Sequence, residues 1–155
     1  TMRGIPPVFY CDEYGMQSAD RSMGHSTLRM PLPIGEQVTK DMQDMFNYHR
    51  QLFQWRKGET VIHTGRTMHF MSRDNTYAYF RYNDNEAVFV FLNASEDNRT
   101  IPTATYAEIL SQYNPVGVDV ITGKTYDLSR QDIVLPGLSS IVVKLSKWYI
   151  YSHHK

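Results

Sequence analysis

Apolar and polar positions recur along this chain with two different periods. Val38, Met42, Met45, Phe46, His49, Leu52 and Phe53 follow one another at helical spacing, which predicts a helix of about five turns with one apolar face. Thr39 or Asp41 is placed to cap its start, and Gly58 follows its end. A lone histidine on such a stripe, His49, reads as a hydrogen-bonded core residue rather than a ligand.

From Glu59 onward the period becomes two. Segments 60–63, 68–72, 76–82, 86–93, 117–121, 124–128, 131–135 and 139–145 read as strands, separated by turn formers such as Asn83-Asp84-Asn85, Thr122-Gly123 and Pro136-Gly137. So many short strands predict a mainly β fold, an antiparallel, Greek-key-like sandwich of about eight strands. The hairpin 76–93 is its expected centre. In its second strand Phe89 and Phe91 point to one face while Val88, Val90 and Leu92 point to the other, so both faces need covering layers. Tyr106-Ala107-Glu108-Ile109-Leu110 reads as a short turn of helix in the connection between the sheets.

Ahead of the long helix, 8–11 reads as a short buried strand opening into a loop that carries Asp12 and Glu13. Pro31 and Pro33 bar a continuous helix from 17–34, which is expected to be a long loop. The change of period near Gly58 sets the expected organisation: 1–58 as strand, loop and helix, 59–148 as sandwich, and 149–155 as a tail without a reading of its own.

Composition narrows the function classes. Among 155 residues stand 11 Tyr and 7 Phe, which favours a folded domain over disorder. Sixteen Lys and Arg balance sixteen Asp and Glu, and no basic run is present, so neither nucleic acid nor an anionic membrane is an expected partner. Cys11 is the only cysteine, which excludes an internal disulfide and a multi-cysteine metal site. No apolar run approaches a membrane span, and no signal pattern opens the sequence; an exported parent would carry its signal upstream.

Candidate chemistry is sparse. A retaining glycosidase needs two carboxyls about 5 Å apart across one glycosidic bond. Asp12 and Glu13 are adjacent, and adjacent residues of an extended chain face opposite ways, so one is expected to line a site and the other to anchor the loop. His25, His49, His63 and His69 lack ligand spacing, so no metal site is expected. Neither a phosphate loop nor a nucleophile elbow is present. Cys11, at the end of an apolar run, reads as an inert buried thiol. Asn93-Ala94-Ser95 and Asn98-Arg99-Thr100 match the glycosylation acceptor pattern. Tyr77 and Tyr79 offer either sugar-stacking platforms or core.

The opening stretch carries a family resemblance. Arg3-Gly4-Ile5-Pro6, Tyr10, Asp12-Glu13 and Gly15-Met16 resemble, in order, the last barrel strand of the α-amylase family of glycoside hydrolases, the neopullulanase and cyclomaltodextrinase branch in particular. Gly24-His25-Ser26-Thr27-Leu28-Arg29 is similar to a loop segment of that branch. Leu52-Phe53-Gln54-Trp55-Arg56-Lys57 resembles the end of its final barrel helix, and 77–81, 88–93 and 119–123 look like its C-terminal sandwich. The pattern is departed from in two places: Cys11 stands where the family usually has Gly, and Met30-Pro31-Leu32-Pro33-Ile34-Gly35 replaces a segment with an aromatic.

The resemblance implies a parent that hydrolyses α-glucans such as starch, pullulan or cyclodextrins by a retaining two-carboxylate mechanism, without a cofactor. The family's catalytic nucleophile, general acid and third carboxylate come from earlier barrel strands, so the chain is expected to be a C-terminal piece, inactive by itself. It would hold Asp12, Glu13, His25 and Arg29 near the sugar-binding end of a truncated (β/α)8 barrel. The implied partners are a maltooligosaccharide bound through the parent, the missing N-terminal barrel and a second copy meeting the exposed strand and helix. A bacterial periplasmic or extracellular location is favoured over the cytoplasm. The alternatives are a freestanding carbohydrate-binding or interaction sandwich, tested by loss of maltooligosaccharide binding on replacing Tyr77 or Tyr79, and an inactive paralogue serving as a scaffold.

Overall fold

The computed structural model describes residues 1–17, 22, 24, 29 and 31–148. The chain divides into two compact units, one formed by 5–57 and the other by 1–4 together with the chain from Gly58 onward.

The first unit is built on helix α1 (Lys40–Lys57). Thr39 caps it as expected: its hydroxyl accepts the Met42 N–H at 3.3 Å and its carbonyl the Gln43 N–H at 3.0 Å. Met42, Phe46, His49, Leu52 and Phe53 are half-buried on one stripe, and the His49 Nδ1 is bonded to the Met45 carbonyl at 3.0 Å. The expected strand 8–11 is corrected: residues 5–9 are irregular chain, and Val8, Phe9 and Tyr10 are exposed. A strand exists only where a neighbour pairs its N–H and C=O groups, and the described residues of this unit offer none. Most of the expected loop 17–34 lies outside the described residues; 31–34 are irregular, ahead of a 3-10 turn at Gly35–Gln37.

The second unit opens with helix α2 (Thr60–Thr64), where a strand was expected at 60–63. Val61 and Ile62 are neighbours and both fully buried, and the Glu59 carbonyl accepts the Ile62 N–H at 3.0 Å. So short an apolar run carries no period, and local hydrogen bonding decides it for the helix.

The strands that follow are β1 (Arg66–His69), β2 (Thr76–Tyr82), β3 (Glu86–Asn93), β4 (Arg99–Thr100), β5 (Val116–Asp119), β6 (Thr125–Asp127), β7 (Val134–Leu135) and β8 (Ser139–Ser146). Helix α3 (Ala107–Leu110), preceded by a 3-10 turn at Thr103–Tyr106, lies in the connection where a short helix was expected. Six strands form one sheet in the order β1-β2-β3-β8-β5-β6, and β4 pairs with β7 in a second; every pairing is antiparallel. Inserting β8 between β3 and β5 departs from a simple meander, and the mainly β sandwich is as expected. Strand β4 was not foreseen, because two residues followed by Ile101-Pro102 show no alternation.

One sheet face carries Ala78, Phe80, Phe89, Phe91, Ile141, Val143 and Leu145, in register as Phe80 opposite Phe89 and Phe89 opposite Val143. Ile101, Tyr106, Ile109, Leu110, Tyr113, Leu128 and Leu135 cover it from the layer of β4, α3 and β7. Phe80 and Phe89 lie 4.7 Å apart between ring centres, and each fully buried side chain of this kind contributes about 1.5–3 kcal/mol. The other face is buried too, at Arg81, Val88, Val90 and Val142. There Arg81 donates to the Ile62 carbonyl at 2.7 Å and to the Thr67 hydroxyl, tying α2 and β1 to β2. Lys144 reaches Glu59 at 2.5 Å and Glu86 at 3.1 Å.

The turn between β1 and β2 places Asp74 at φ 49° and Asn75 at φ 58°, closed by reciprocal Arg73 and Thr76 backbone bonds of 3.2 and 2.7 Å. Two successive positive φ values define a type I′ hairpin, in which Gly is unstrained. Asn75→Gly is expected to raise stability by about 0.5–1 kcal/mol, since Asn tolerates the left-handed region better than most residues but not freely. A thermal unfolding curve moved upward by about 1–4 °C is the corresponding readout, and an unchanged or lowered midpoint contradicts it.

Candidate functional site

The carboxylate loop is organised by two left-handed residues. Cys11 (φ 71°, ψ −1°) opens and Gly15 (φ 64°) closes a 3-10 turn at Asp12–Tyr14. Cys11 thus takes the conformation that a glycine there would adopt freely. The turn is closed by Tyr14 N–H to the Cys11 carbonyl at 3.1 Å and Gly15 N–H to the Asp12 carbonyl at 3.0 Å. Tyr14 stacks on Phe46 of α1 with ring centres 5.3 Å apart and planes 15° from parallel.

The Asp12 carboxylate accepts the Phe9 N–H at 3.0 Å, and the Phe9 carbonyl accepts the Asp12 N–H at 3.1 Å. Asp12 is therefore the loop's anchor. Glu13, half-buried, makes no side-chain hydrogen bond among the described residues, which leaves its carboxylate the freer of the two. Successive residues of a 3-10 turn project about 120° apart, so the two carboxylates diverge and cannot flank one glycosidic bond. Arg29 is exposed and joins neither carboxylate among the described residues. His25 lies outside the described residues.

Cys11 is 4% exposed. Burial raises its thiol pKa above the ordinary value, and the charges of Glu13 and Asp12 raise it further. A thiol held protonated this way is a poor nucleophile at neutral pH, in line with the inert reading. Among the described residues no group of three His, Cys, Asp or Glu side chains could hold a metal ion, and no helix is long and apolar enough to cross a membrane.

Tyr79 is 4% exposed and its hydroxyl meets that of Thr1, so it is core. Tyr77 is half-buried, stacked against His69 and hydrogen-bonded to its Nδ1. Neither ring offers an open platform. The Asn93 amide is buried and fully engaged with carbonyl groups of other segments, so this acceptor pattern cannot carry a glycan in the folded protein.

The sequence did not single out the clefts of the sandwich unit. One, of 280 Å³, is bounded by Leu110, Tyr113, Leu128 and the exposed Trp148. A larger one, of 450 Å³, lies between the β1–β2 turn and the segment leading from β4 to α3, with Phe70 and Tyr106 at its base and Arg73, Asp74 and Arg99 on its walls. Burial pushes the Tyr106 phenol up to about 12, so it remains a neutral hydroxyl throughout the physiological range.

An antiparallel six-stranded sheet backed by a two-stranded one and a short helix defines a β-sandwich. The chain belongs to the cyclo-malto-dextrinase C-terminal domain family, whose pattern matches residues 67–144. Solved structures share the fold. CldA, a cyclomaltodextrin glucanotransferase with a three-domain ABC distribution, aligns with a TM-score of 0.64 at 20% identity, over 96% of this chain and 30% of its own. The α-amylase of Geobacillus thermoleovorans, complexed with acarbose, aligns with a TM-score of 0.62 at 14% identity, over 88% and 28%. AmyP in complex with maltose gives 0.59 at 15% identity, over 83% and 27%. The chain thus spans less than a third of the length of each of these proteins.

Proposed function

We propose that this chain is the C-terminal part of a glycoside hydrolase acting on α-glucans, of the neopullulanase and cyclomaltodextrinase branch. In this reading residues 1–58 supply the last strand, loop and helix of a (β/α)8 barrel, 59–148 the C-terminal sandwich, and 149–155 a tail. The observation that carries the reading is the family match over 67–144 in the same chain as the Arg3 to Met16 motif.

Two further observations support it. Ile5 is 94% exposed and Ile34 73%, with Val8, Phe9 and Leu32 also open, an apolar surface suited to barrel neighbours that would also give 8–11 its pairing partners. AmyP was solved with maltose and CldA is a cyclomaltodextrin glucanotransferase, which supports a maltooligosaccharide held by the whole protein as the ligand in this reading. Asp12, Glu13, His25 and Arg29 contribute to the sugar-binding end of the barrel, with Asp12 bracing the loop and Glu13 the freer to meet a hydroxyl. The nucleophile, general acid and third carboxylate come from polypeptide outside these residues. Self-association through the same apolar surface is the expected behaviour of the chain in isolation, and a periplasmic or extracellular compartment fits the branch.

The purified chain is expected to release no reducing sugar from starch, pullulan or cyclodextrin. Turnover of any of them by this chain, abolished by Glu13→Gln, would place catalysis within it and overturn the reading.

A further inference from the structure

We propose that the 450 Å³ cleft of the sandwich is itself a binding site for an α-glucan segment. Its volume lies within the range of about 300–1,000 Å³ typical of small-molecule sites. The sequence gives no hint of it, because the walls come from two separate stretches that the sheet register and the β4–β7 pairing bring together.

The chemistry of the walls selects the ligand. Arg73, on the exposed β1–β2 turn, has no side-chain hydrogen bond or ion pair among the described residues, and neither does Asp74 beside it. Among the described residues Arg99 has only Asp97 at 3.7 Å, and its Nε is buried without an acceptor. Arginine is a pure donor and a carboxylate a pure acceptor, while the hydroxyls of Thr100 and Thr105 around them serve as either and that of Thr76, which donates to the Arg73 carbonyl at 2.7 Å, can accept. A cation would meet the two guanidinium groups, and an anion would meet Asp74. A neutral polyol satisfies donors and acceptors together.

The base of the cleft is apolar. Phe70 packs edge-on against Tyr106 with ring centres 4.7 Å apart, and Pro102 and Met71 border them, Met71 being 82% exposed. A pyranose has an apolar C–H face and a rim of hydroxyls, so it can lie on such a base while its rim reaches the arginines and Asp74. Choosing an α-glucan among polyols rests on the function proposed above.

The test is titration of the 155-residue chain with maltohexaose, cellohexaose and inorganic phosphate, followed by backbone amide NMR and calorimetry. Maltohexaose is expected to shift amides within 70–76 and 99–106, and Arg73→Glu, in an exposed turn, to weaken binding about tenfold or more with an unchanged melting temperature. Arg99→Met is expected to weaken it as well. Absence of shifts at millimolar maltohexaose, or binding indifferent to Arg73→Glu, overturns the site and leaves the proposed function standing. Equal binding of cellohexaose through the same residues overturns the α-glucan assignment and counts against that function. Phosphate competing with maltohexaose at comparable affinity overturns the polyol reading in favour of an anion site.

Discussion

Replacing Asn93 with alanine is expected to lower the stability of the sandwich unit by about 3–5 kcal/mol, one of two large losses expected from removing a buried hydrogen-bonding side chain. Asn93 ends β3 and is 2% exposed. Its amide nitrogen donates to the Asp97 carbonyl at 2.8 Å and the Pro136 carbonyl at 2.9 Å, with the Leu135 carbonyl at 3.4 Å. Its amide oxygen accepts the Ser95 N–H at 3.1 Å and the Ser95 hydroxyl at 2.7 Å. One side chain therefore joins the end of the central strand, the loop after it and the turn leading into β8. Truncation strands buried carbonyls and a buried N–H, each at about 1–3 kcal/mol, partly recovered by relaxation. Calorimetry should show a melting temperature lowered by about 6–20 °C, and a drop of under about 2 °C contradicts the assignment. Asn93→Asp is expected to be at least as damaging, since it turns a carboxylate toward carbonyl oxygens that need a donor.

Asp119→Ala is the second. Asp119 is 2% exposed at the end of β5, and its two oxygens serve two parts of the sheet. Oδ1 accepts the Val142 N–H of β8 at 2.8 Å; Oδ2 accepts the Thr122 N–H at 2.9 Å and the Thr122 hydroxyl at 2.6 Å. Its backbone closes the same turn, donating to the Lys124 carbonyl and accepting the Gly123 N–H, each at 2.8 Å, with Gly123 at φ 72°. Bonds to an ionised acceptor are worth about 1.5–3 kcal/mol each, so losing all three is expected to cost about 3–5 kcal/mol. Asn at this position keeps one carbonyl oxygen and should lose roughly half as much by the same reckoning. The urea midpoint should fall with the slope of the transition unchanged; equal midpoints for wild type and Asp119→Ala would rule the account out.

What could be read from the sequence was what a period encodes. Strands β2 and β3 fall on 76–82 and 86–93 as their alternation predicts, and β8 extends the expected strand only to Ser146. Helix α1 follows its stripe from the Thr39 cap. Elements with too few residues to show a period were misread: 60–63 forms a helix, β4 went unseen, and β7 holds only two of the five residues expected. The segment 8–11 failed for another reason, because being a strand depends on a partner and not on the apolar run alone.

Candidate chemistry was legible in the same measure. That one of Asp12 and Glu13 anchors the loop was expected from an extended chain; Asp12 is that anchor, but on a 3-10 turn rather than at a strand end. Asn93 and Asp119 were visible only as parts of patterns. Their roles depend on where Pro136 and Val142 arrive, which no local window contains. The cleft between Arg73 and Arg99 was invisible for that reason too, while Tyr79, a possible sugar platform in the sequence, is fixed as core by the packing of its sheet face.

The central claim, the proposal that this sandwich belongs to an α-glucan hydrolase with catalytic carboxylates outside these residues, is tested most directly on the gene product as it is expressed in its natural host. Incubated with cyclodextrin, pullulan and starch and followed by proton NMR, it is predicted to release products that first appear with the anomeric configuration of the substrate retained, as two carboxylates about 5 Å apart require. Initial release of the inverted anomer, or failure to cleave any of the three, would contradict the account.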